Sequence, residues 1–366
     1  MRAELENAMN EPENAEEVTN EPVTPEVATD TSSIGPTFPP RESSFGRIKG
    51  FETRRIVTER AQIEEYAQMI DEMKGQLNGE LSRISFRFIA SNEAIAESLD
   101  LLGQYGEVII PLAGAEDPHF EGASMVYIGH NMPGVRDSHP ADLNRAQHNI
   151  AVARNEQIKG FGEITGRAQS LGYALETPTL AQRQSDPQLR EQMAALYERF
   201  GWNYDQVMSI LEEPGNIFAI VRKDGKIVSA GIAERATIDI QDEQSTHSLR
   251  IAELTEAATL AEHQRKGLYT AVAAQLLRAI SALPEEERLH LVLGECNGLA
   301  LGVLKAAKQL GRTFAAEVAE DLQLPIGGYL PQHVPIAGEQ RETENNDLFP
   351  AFISAKDIRR LYGEGE

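Results

Sequence analysis

The stretch ELTEAATLAEHQRKGLYTAV, residues 253–272, joins a predicted strand to a predicted helix through a basic turn. The first turn of a helix leaves backbone N–H groups without partners and carries the positive end of the helix dipole. Gly267 has no Cβ, so an anion can approach the main chain closely there, and Arg265 and Lys266 add positive charge. The junction therefore predicts a pyrophosphate site. The sequence has no GxxxxGK(S/T) loop, and an ordinary helix start after a glycine is the alternative.

The helices and strands around this turn can be predicted from hydrophobic periodicity and from the positions of turn and capping residues. Two helices precede it, the first capped by Asp186 with proline next, and a hairpin with the turn Lys223-Asp224-Gly225-Lys226 follows them. A long strand, LRIAELTEAATL, leads into the turn. After the helix come a buried strand, RLHLVLGE, and a helix that ends at Gly311.

This order of elements, together with Gln264-x-x-Gly267-x-Tyr269, resembles the GCN5-related N-acetyltransferases (GNAT superfamily) over about residues 177–314. The motif of that family is Gln/Arg-x-x-Gly-x-Gly/Ala, so Tyr269 replaces a small residue. Residues 253–268 are most similar to the β-lysine N-acetyltransferase type. The resemblance implies an α/β fold of the α+β kind, with a mixed central sheet flanked by helices. A smaller α/β domain, GNAT-like in part, would precede that sheet.

The resemblance also implies the co-substrate and the residues that hold it. The family binds acetyl-coenzyme A between two splayed parallel strands, where unpaired backbone groups meet the amides of the pantetheine arm. The N–H of Ala257 would polarise the thioester carbonyl. Asn297 would bond pantetheine or cap the following helix. The implied binding residues are Ala257, Ala258, Thr259, Gln264, Arg265, Lys266, Gly267, Leu268, Tyr269, Thr270 and Asn297.

The amine acceptor needs a base, because a lysine-like amine has a pKa of about 10.4 and must lose a proton before it attacks. By the resemblance, Glu253 is the candidate base. Glu256 is the other candidate, and strand alternation places it on the opposite face. Either glutamate could instead bind the substrate ammonium or be a charge at the sheet edge. The family's usual tyrosine acid corresponds to Ala307, so Tyr269 or Tyr329 would substitute, or the thiolate leaves without an acid.

Composition divides the chain into four predicted parts. Residues 1–50 are polar and acidic and predict a disordered tail. Residues 51–175 alternate helical and strand patterns and predict an N-terminal α/β domain. Residues 176–335 predict the acetyltransferase domain. Residues 336–366 are predicted to be a C-terminal extension outside the resemblance.

The bulk composition restricts the partners. With 57 acidic and 34 basic residues, the net charge is −23, which disfavours nucleic acid and anionic membranes and favours cationic small molecules or basic partners. Solubility alone is the alternative interpretation of this charge. No apolar run is long enough for a membrane helix, and the single cysteine, Cys296, fits a cytoplasmic protein. No metal-binding motif is present. A homodimer is compatible with the sequence.

These observations predict an N-acetyltransferase that moves an acetyl group from acetyl-coenzyme A to a primary amine, such as a small cationic amino acid or a polyamine. The competing hypothesis is a non-catalytic GNAT-fold sensor or interaction module that binds acyl-coenzyme A. Acylation of a protein or of aminoacyl-tRNA is a third hypothesis, and the negative charge disfavours tRNA.

Overall fold

The computed structural model describes residues 38–43, 47–51, 55–77, 83–132, 140–241, 245–331 and 347–363. Residues 1–37, most of the predicted tail, lie outside this part of the chain. Two strands, Phe38–Ser43 and Arg47–Phe51, lie at the C-terminal end of the predicted tail. The second of these strands pairs in parallel with Arg83–Ser91. Such long-range pairing supplies backbone hydrogen bonds that a polar composition does not reveal.

The strands fall into two sheets. The first sheet has the order β1-β2-β3-β5-β4, and the second has the order β11-β12-β10-β9-β8-β7-β6. In chain order the strands are β1 (Phe38–Ser43), β2 (Arg47–Phe51), β3 (Arg83–Ser91), β4 (Gly106–Pro111), β5 (Ala123–Asn131), β6 (Ala174–Glu176), β7 (Ile217–Lys223), β8 (Lys226–Gln241), β9 (Thr246–Thr259), β10 (Leu291–Asn297), β11 (Thr313–Phe314) and β12 (Leu348–Ser354).

The helices of the described residues are short, and the longest have 14 residues. None of them is long and apolar enough to cross a membrane. In chain order they are α1 (Arg60–Met73), α2 (Asn92–Glu97), α3 (Leu99–Tyr105), α4 (Pro140–Ala153), α5 (Phe161–Ser170), α6 (Leu180–Ser185), α7 (Pro187–Glu198), α8 (Tyr204–Glu212), α9 (Leu268–Ser281), α10 (Leu301–Gln309), α11 (Ala315–Asp321) and α12 (Ala355–Tyr362).

The second sheet is mixed. β7, β8 and β9 form an antiparallel meander, β9 and β10 run parallel, and β12 is antiparallel to β10. Helices α5, α9 and α12 bury apolar side chains against it in one cluster, which includes Ala168, Val272 and Ile358. The predicted fold class, a mixed central sheet flanked by helices and preceded by a smaller α/β region, is confirmed.

Several local predictions hold. The side chain of Asp186 accepts hydrogen bonds from two N–H groups at the start of α7, and Pro187 is the first helical residue. Asp224 and Gly225, in the turn between β7 and β8, both have positive φ, as a tight hairpin requires. Gly311, with φ +79°, follows the end of α10.

The second sheet draws on more of the chain than residues 176–335. Strand β6 and helix α5 lie before that range in whole or in part, yet β6 pairs with β7 and α5 packs beside α9. Strand β12, in the predicted C-terminal extension, lies between β10 and β11 and pairs with β10 along its whole length. These elements are too short or too remote in sequence for periodicity to assign them to a sheet.

His290 lies just before β10, and its buried imidazole links protonation to stability. The side chain is 6% exposed, and its Nδ1 accepts a hydrogen bond from the backbone N–H of Arg250 at 2.9 Å. Burial, together with the charge of Arg250, lowers the pKa of His290 to about 4 against the opposing effect of Asp117. The unfolded chain therefore binds the proton more readily than the folded one between about pH 6.5 and 4, and stability falls as the pH falls through that window.

We expect His290→Asn to remove this dependence, because the asparagine Oδ1 can accept the same N–H and does not titrate. Between pH 7 and 5, the free energy of unfolding of the wild type should fall by about 2 kcal/mol more than that of the variant. Urea unfolding at both pH values measures it. His148→Asn, on the exposed side of α4, is the matched control and should follow the wild type. Parallel pH profiles for wild type and His290→Asn would contradict the expectation.

Candidate active site

The turn before α9 opens a main-chain surface toward solvent. Arg265 and Gly267 both have left-handed backbone angles, with φ of +61° and +79°. A Cβ built on Gly267 would meet no atom within 4 Å, so the space in front of it is open. Helix α9 begins at Leu268, and its first N–H groups have no partners within the helix. These N–H groups and the helix dipole favour an anion at this point.

The polar side chains of the turn hold its shape. Gln264 Nε2 donates to the carbonyl of Thr259 at 3.2 Å, which ties the turn to the end of β9. Lys266 Nζ donates to the carbonyl of Glu262 at 2.8 Å. The side chain of Arg265 is exposed. Thus Gln264 and Lys266 stabilise the backbone, whereas Arg265 is placed for long-range attraction of an anion.

Strands β9 and β10 separate immediately in front of this turn. They pair only at Ile251, Ala252 and Glu253, and the structure describes no further pair although β9 continues to Thr259. At the point of separation, a Cβ on Gly294 would lie 2.7 Å from the carbonyl oxygen of Leu254. The edge of β9 that faces the gap therefore carries backbone groups not used by β10, which amides of a ligand can bind.

A β-bulge interrupts the pairing of β9 with β8, on the edge of β9 opposite the gap. Ala258 pairs with Ala230 but Thr255 pairs with Ile232, so Glu256 and Ala257 together lie opposite Gly231. Glu256 has a φ of +49°, a left-handed conformation that is unfavourable for a residue with a side chain. Such outliers persist where the surrounding structure holds them, and they occur often at functional sites.

Two contacts hold the bulge. The hydroxyl of Tyr197, on α7, donates to the carbonyl of Glu256 at 2.7 Å. On the other side, a Cβ on Gly231 would lie 2.7 Å from Val272 Cγ1, so the glycine allows α9 to pack directly on the sheet. Ala257 is exposed and Ala258 is buried. The backbone around Ala257 is therefore both fixed and accessible, as an oxyanion-binding N–H must be.

Three glutamates surround the bulge. Glu253 on β9 is paired directly with Glu234 on β8. Burial raises the pKa of the Glu256 carboxyl, and the charges of Glu234 and Glu253 raise it further. Burial and the charge of Glu253 likewise raise the pKa of Glu234. These partly buried carboxylates attract an ammonium group and can accept a proton from it.

Sequence alternation was an incomplete guide to this cluster. It predicted that Glu256 faces away from Glu253, and the left-handed Glu256 and the bulge interrupt the alternation between the two residues. Glu234 was missed altogether. The register of β8 against β9, which places it opposite Glu253, would have revealed it.

The residues at the expected positions of the general acid and of the pantetheine-binding amide make other contacts. Ala307 is fully buried in an apolar cluster with Phe314 and Phe349. The Oδ1 of Asn297 accepts from the N–H of Leu299 at 2.9 Å, in the turn before α10, and the N-cap of that helix is Ala300 rather than Asn297. The ring of Tyr329 packs at 5.4 Å from that of Phe349.

Tyr269, the residue that departs from the family motif, points toward a buried cation. Burial, together with the nearby Cys296, raises the pKa of its hydroxyl to about 12 against the opposing effect of Arg312. The guanidinium of Arg312 is 1% exposed and donates to the carbonyl of Gly294 at 2.7 Å. Tyr269 thus occupies the side of the gap next to β10, where the family motif has a small residue.

The remaining predicted binding residues are buried or partly buried. Leu268 is buried in the core beneath α9, and Thr270 is partly buried one residue beyond Tyr269. The hydroxyl groups of Ser229 and Thr259 are hydrogen-bonded at 2.7 Å across β8 and β9. Within the described residues, no group of three or more His, Cys, Asp or Glu side chains could hold a metal ion.

Comparison with known proteins gives a fold-level likeness only. No protein-family model and no curated protein sequence matches the chain. Among solved structures, the ribosomal-protein-S18-alanine N-acetyltransferase of Escherichia coli is 12% identical over 50% of this chain and 94% of its own, with a TM-score of 0.34. NAA60 of Arabidopsis thaliana, in complex with acetyl-CoA, is 8% identical over 50% and 99%, with a TM-score of 0.33.

An acetyltransferase of the GNAT family from Streptococcus pneumoniae is 10% identical over 50% of this chain and 99% of its own, with a TM-score of 0.33. The structural neighbours are therefore acetyltransferases at very low identity. The description of the site depends on this chain's own strand order, bulge and gap rather than on these matches.

Proposed function

We propose that the chain is a GNAT-type N-acetyltransferase that transfers the acetyl group of acetyl-coenzyme A to a primary amine. One observation carries this proposal: parallel strands β9 and β10 part directly in front of a helix that begins at the left-handed Gly267. A ligand with an anionic end and an amide-bearing arm fits this combination, because the helix start attracts the anion and the unpaired strand edge binds the amides.

In the proposed complex, the N–H groups at the start of α9 bind the diphosphate and Gly267 leaves room for it. The gap-facing edge of β9 hydrogen-bonds the pantetheine amides. The N–H of Ala257, exposed at the bulge, receives the thioester oxygen as negative charge develops on it. A bulky residue at position 257 or 258 would obstruct this approach, which explains why both positions are alanine.

The reaction then follows from the glutamates. The acceptor arrives as an ammonium ion, which the carboxylates of Glu234, Glu253 and Glu256 attract. Glu253 accepts a proton from the amine, directly or through water, and the neutral nitrogen attacks the thioester carbonyl. The new N–C bond forms, the C–S bond breaks, and the thiolate leaves with the electron pair. The second proton lost by the attacking nitrogen is taken up by the thiolate, which gives coenzyme A and a neutral amide.

The acceptor class is inferred from charge. Three partly buried carboxylates around the bulge and a net charge of −23 both favour a cationic acceptor, such as a small basic amino acid or a polyamine. We assign the protein to the cytoplasm on its single cysteine, which forms no internal disulfide.

A non-catalytic coenzyme A sensor is the second candidate, and specific observations favour it. The position of the family's tyrosine acid is Ala307, buried among apolar side chains, and Tyr269 stands where a small residue is usual. Both features disfavour catalysis, but the helix start and the strand edge can still bind coenzyme A.

A two-stage experiment separates these functions. Calorimetry with acetyl-coenzyme A measures binding, and a thiol-release assay over a panel of amino acids and polyamines measures turnover. Binding followed by amine-dependent thiol release supports the transferase. Binding without release for any amine supports the sensor, and no binding removes both.

A further inference from the structure

The two sheets share an apolar layer. One core cluster contains Ile89, Val108 and Met125 from the first sheet together with Ile251 and Leu293 from the second. Leu249, Leu291, Ile238 and Ile110 belong to the same layer. The faces of the two sheets are therefore packed against each other through these residues.

The layer continues into polar residues at the active-site end. Side chains two positions apart on a strand share a face. Tyr127 follows Met125 on β5 by two positions, and Arg87 precedes Ile89 on β3 by two, so both lie on the inward face of the first sheet. By the same rule Glu253, beyond Ile251, lies on the inward face of the second sheet, ahead of the bulge.

Contacts agree with this placement. Arg87 and Tyr127 are cross-strand partners, Arg87 Nη1 donates to Tyr127 Oη at 3.2 Å, and the guanidinium lies 5.6 Å from the centre of the ring. Burial raises the pKa of the Tyr127 hydroxyl, Arg87 lowers it, and the charges of Glu253 and Glu295 raise it. The carboxylates of the second sheet are therefore within electrostatic reach of the arginine–tyrosine pair of the first.

We propose that the first sheet completes the acceptor site, and that Arg87 and Tyr127 bind the oxygen-bearing end of an acceptor whose amine is held at Glu253. This inference rests on the proposed function. A guanidinium and a phenol hydroxyl both donate hydrogen bonds, and they lie on the wall that faces the glutamates. The site is thus polarised, with donors on one wall and carboxylates on the other, which is complementary to an amine that also carries a carboxylate.

The polarity of the site predicts selectivity between two otherwise similar acceptors. Lysine and 1,5-diaminopentane share the same aminoalkyl chain, but only lysine has a carboxylate. A diamine would place a second ammonium near Arg87, where like charges repel. We therefore expect the wild type to prefer lysine to the diamine in kcat/KM by at least about tenfold.

The test uses Arg87→Gln and Tyr127→Phe in the full chain. Each should raise the KM for lysine by about tenfold or more and leave the Kd of acetyl-coenzyme A unchanged. For the diamine, Tyr127→Phe should change the KM little, and Arg87→Gln should lower it because the repulsion is removed. The matched controls are Arg60→Gln, whose arginine pairs with Asp100 at the surface, and Tyr105→Phe, whose hydroxyl donates to Asp71. Both controls should behave as the wild type.

A binding measurement separates this inference from the proposed function. Calorimetric titration of lysine into protein saturated with coenzyme A requires no turnover. If thiol release is absent but Arg87→Gln and Tyr127→Phe weaken lysine binding, the proposed role of Arg87 and Tyr127 in acceptor binding is supported and the transferase proposal fails. The proposed role of Arg87 and Tyr127 is overturned if lysine does not bind the wild type. It is also overturned if lysine binds the wild type and both variants equally while thermal unfolding shows that all three are folded.

Discussion

Replacing Gly267 by alanine is expected to weaken the binding of acetyl-coenzyme A by about a hundredfold. The added Cβ would project into the open space in front of the helix start, where we place the diphosphate. Loss of one or two hydrogen bonds to a charged group costs about 3 kcal/mol, which corresponds to about a hundredfold in Kd. Calorimetric titration of wild type and variant with acetyl-coenzyme A measures the effect directly.

Gly225→Ala is the matched control for this prediction. Gly225 has a φ of +78°, nearly the same as that of Gly267 at +79°, and a Cβ there also meets nothing within 4 Å. Both variants should lose about 1–2 kcal/mol of stability, because an alanine is strained in the left-handed region. Only the variant at position 267 should lose affinity. Equal affinity of Gly267→Ala and wild type would remove the diphosphate from the start of α9.

Glu253→Gln is expected to lower kcat by about a hundredfold near neutral pH, within the usual range for loss of a general base. An acceptor amine with a pKa of about 10.4 is almost entirely protonated there, so the carboxylate is needed to take the proton. The loss should shrink as the pH approaches 10, because more of the acceptor is already neutral. Profiles of kcat from pH 6 to 10 for wild type and variant measure this change.

Glu234→Gln and Glu256→Gln show whether the base role belongs to Glu253 alone. Both carboxyl groups have a raised pKa and lie around the same bulge, so they also attract the ammonium. We expect these variants to raise the acceptor KM without the pH-dependent loss of kcat. If the ratio of wild-type to Glu253→Gln rates is constant across pH, Glu253 binds the substrate and another group is the base.

Local chemistry made much of the second sheet predictable. The cap at Asp186, the hairpin glycine at 225 and the strand–turn–helix around Gly267 each depend on a few neighbouring residues, and the structure has all three. Strand β9 begins at Thr246, slightly before the predicted strand, because its pairing with β8 extends beyond the apolar run. Patterns that are local in sequence therefore located the turn and the strand that borders the gap.

Features that depend on remote pairing were not predictable in the same way. Glu234 lies beside Glu253 because of the register between β8 and β9. Arg87 and Tyr127 lie on the side of the first sheet that packs against the second sheet. The left-handed conformation of Glu256 overrides strand alternation, because α7 and α9 hold the bulge in place. No motif in the sequence marks any of these residues, since each depends on its partner strand.

The position of β12 has a consequence for synthesis of the protein. Its strand, Leu348–Ser354, covers the side of β10 that faces away from β9, and it separates β10 from β11. Until β12 has been synthesised and has paired with it, β10 therefore has an exposed edge on which unrelated strands can pair. Chaperone protection should be greatest between the emergence of β10 from the exit tunnel and its pairing with β12.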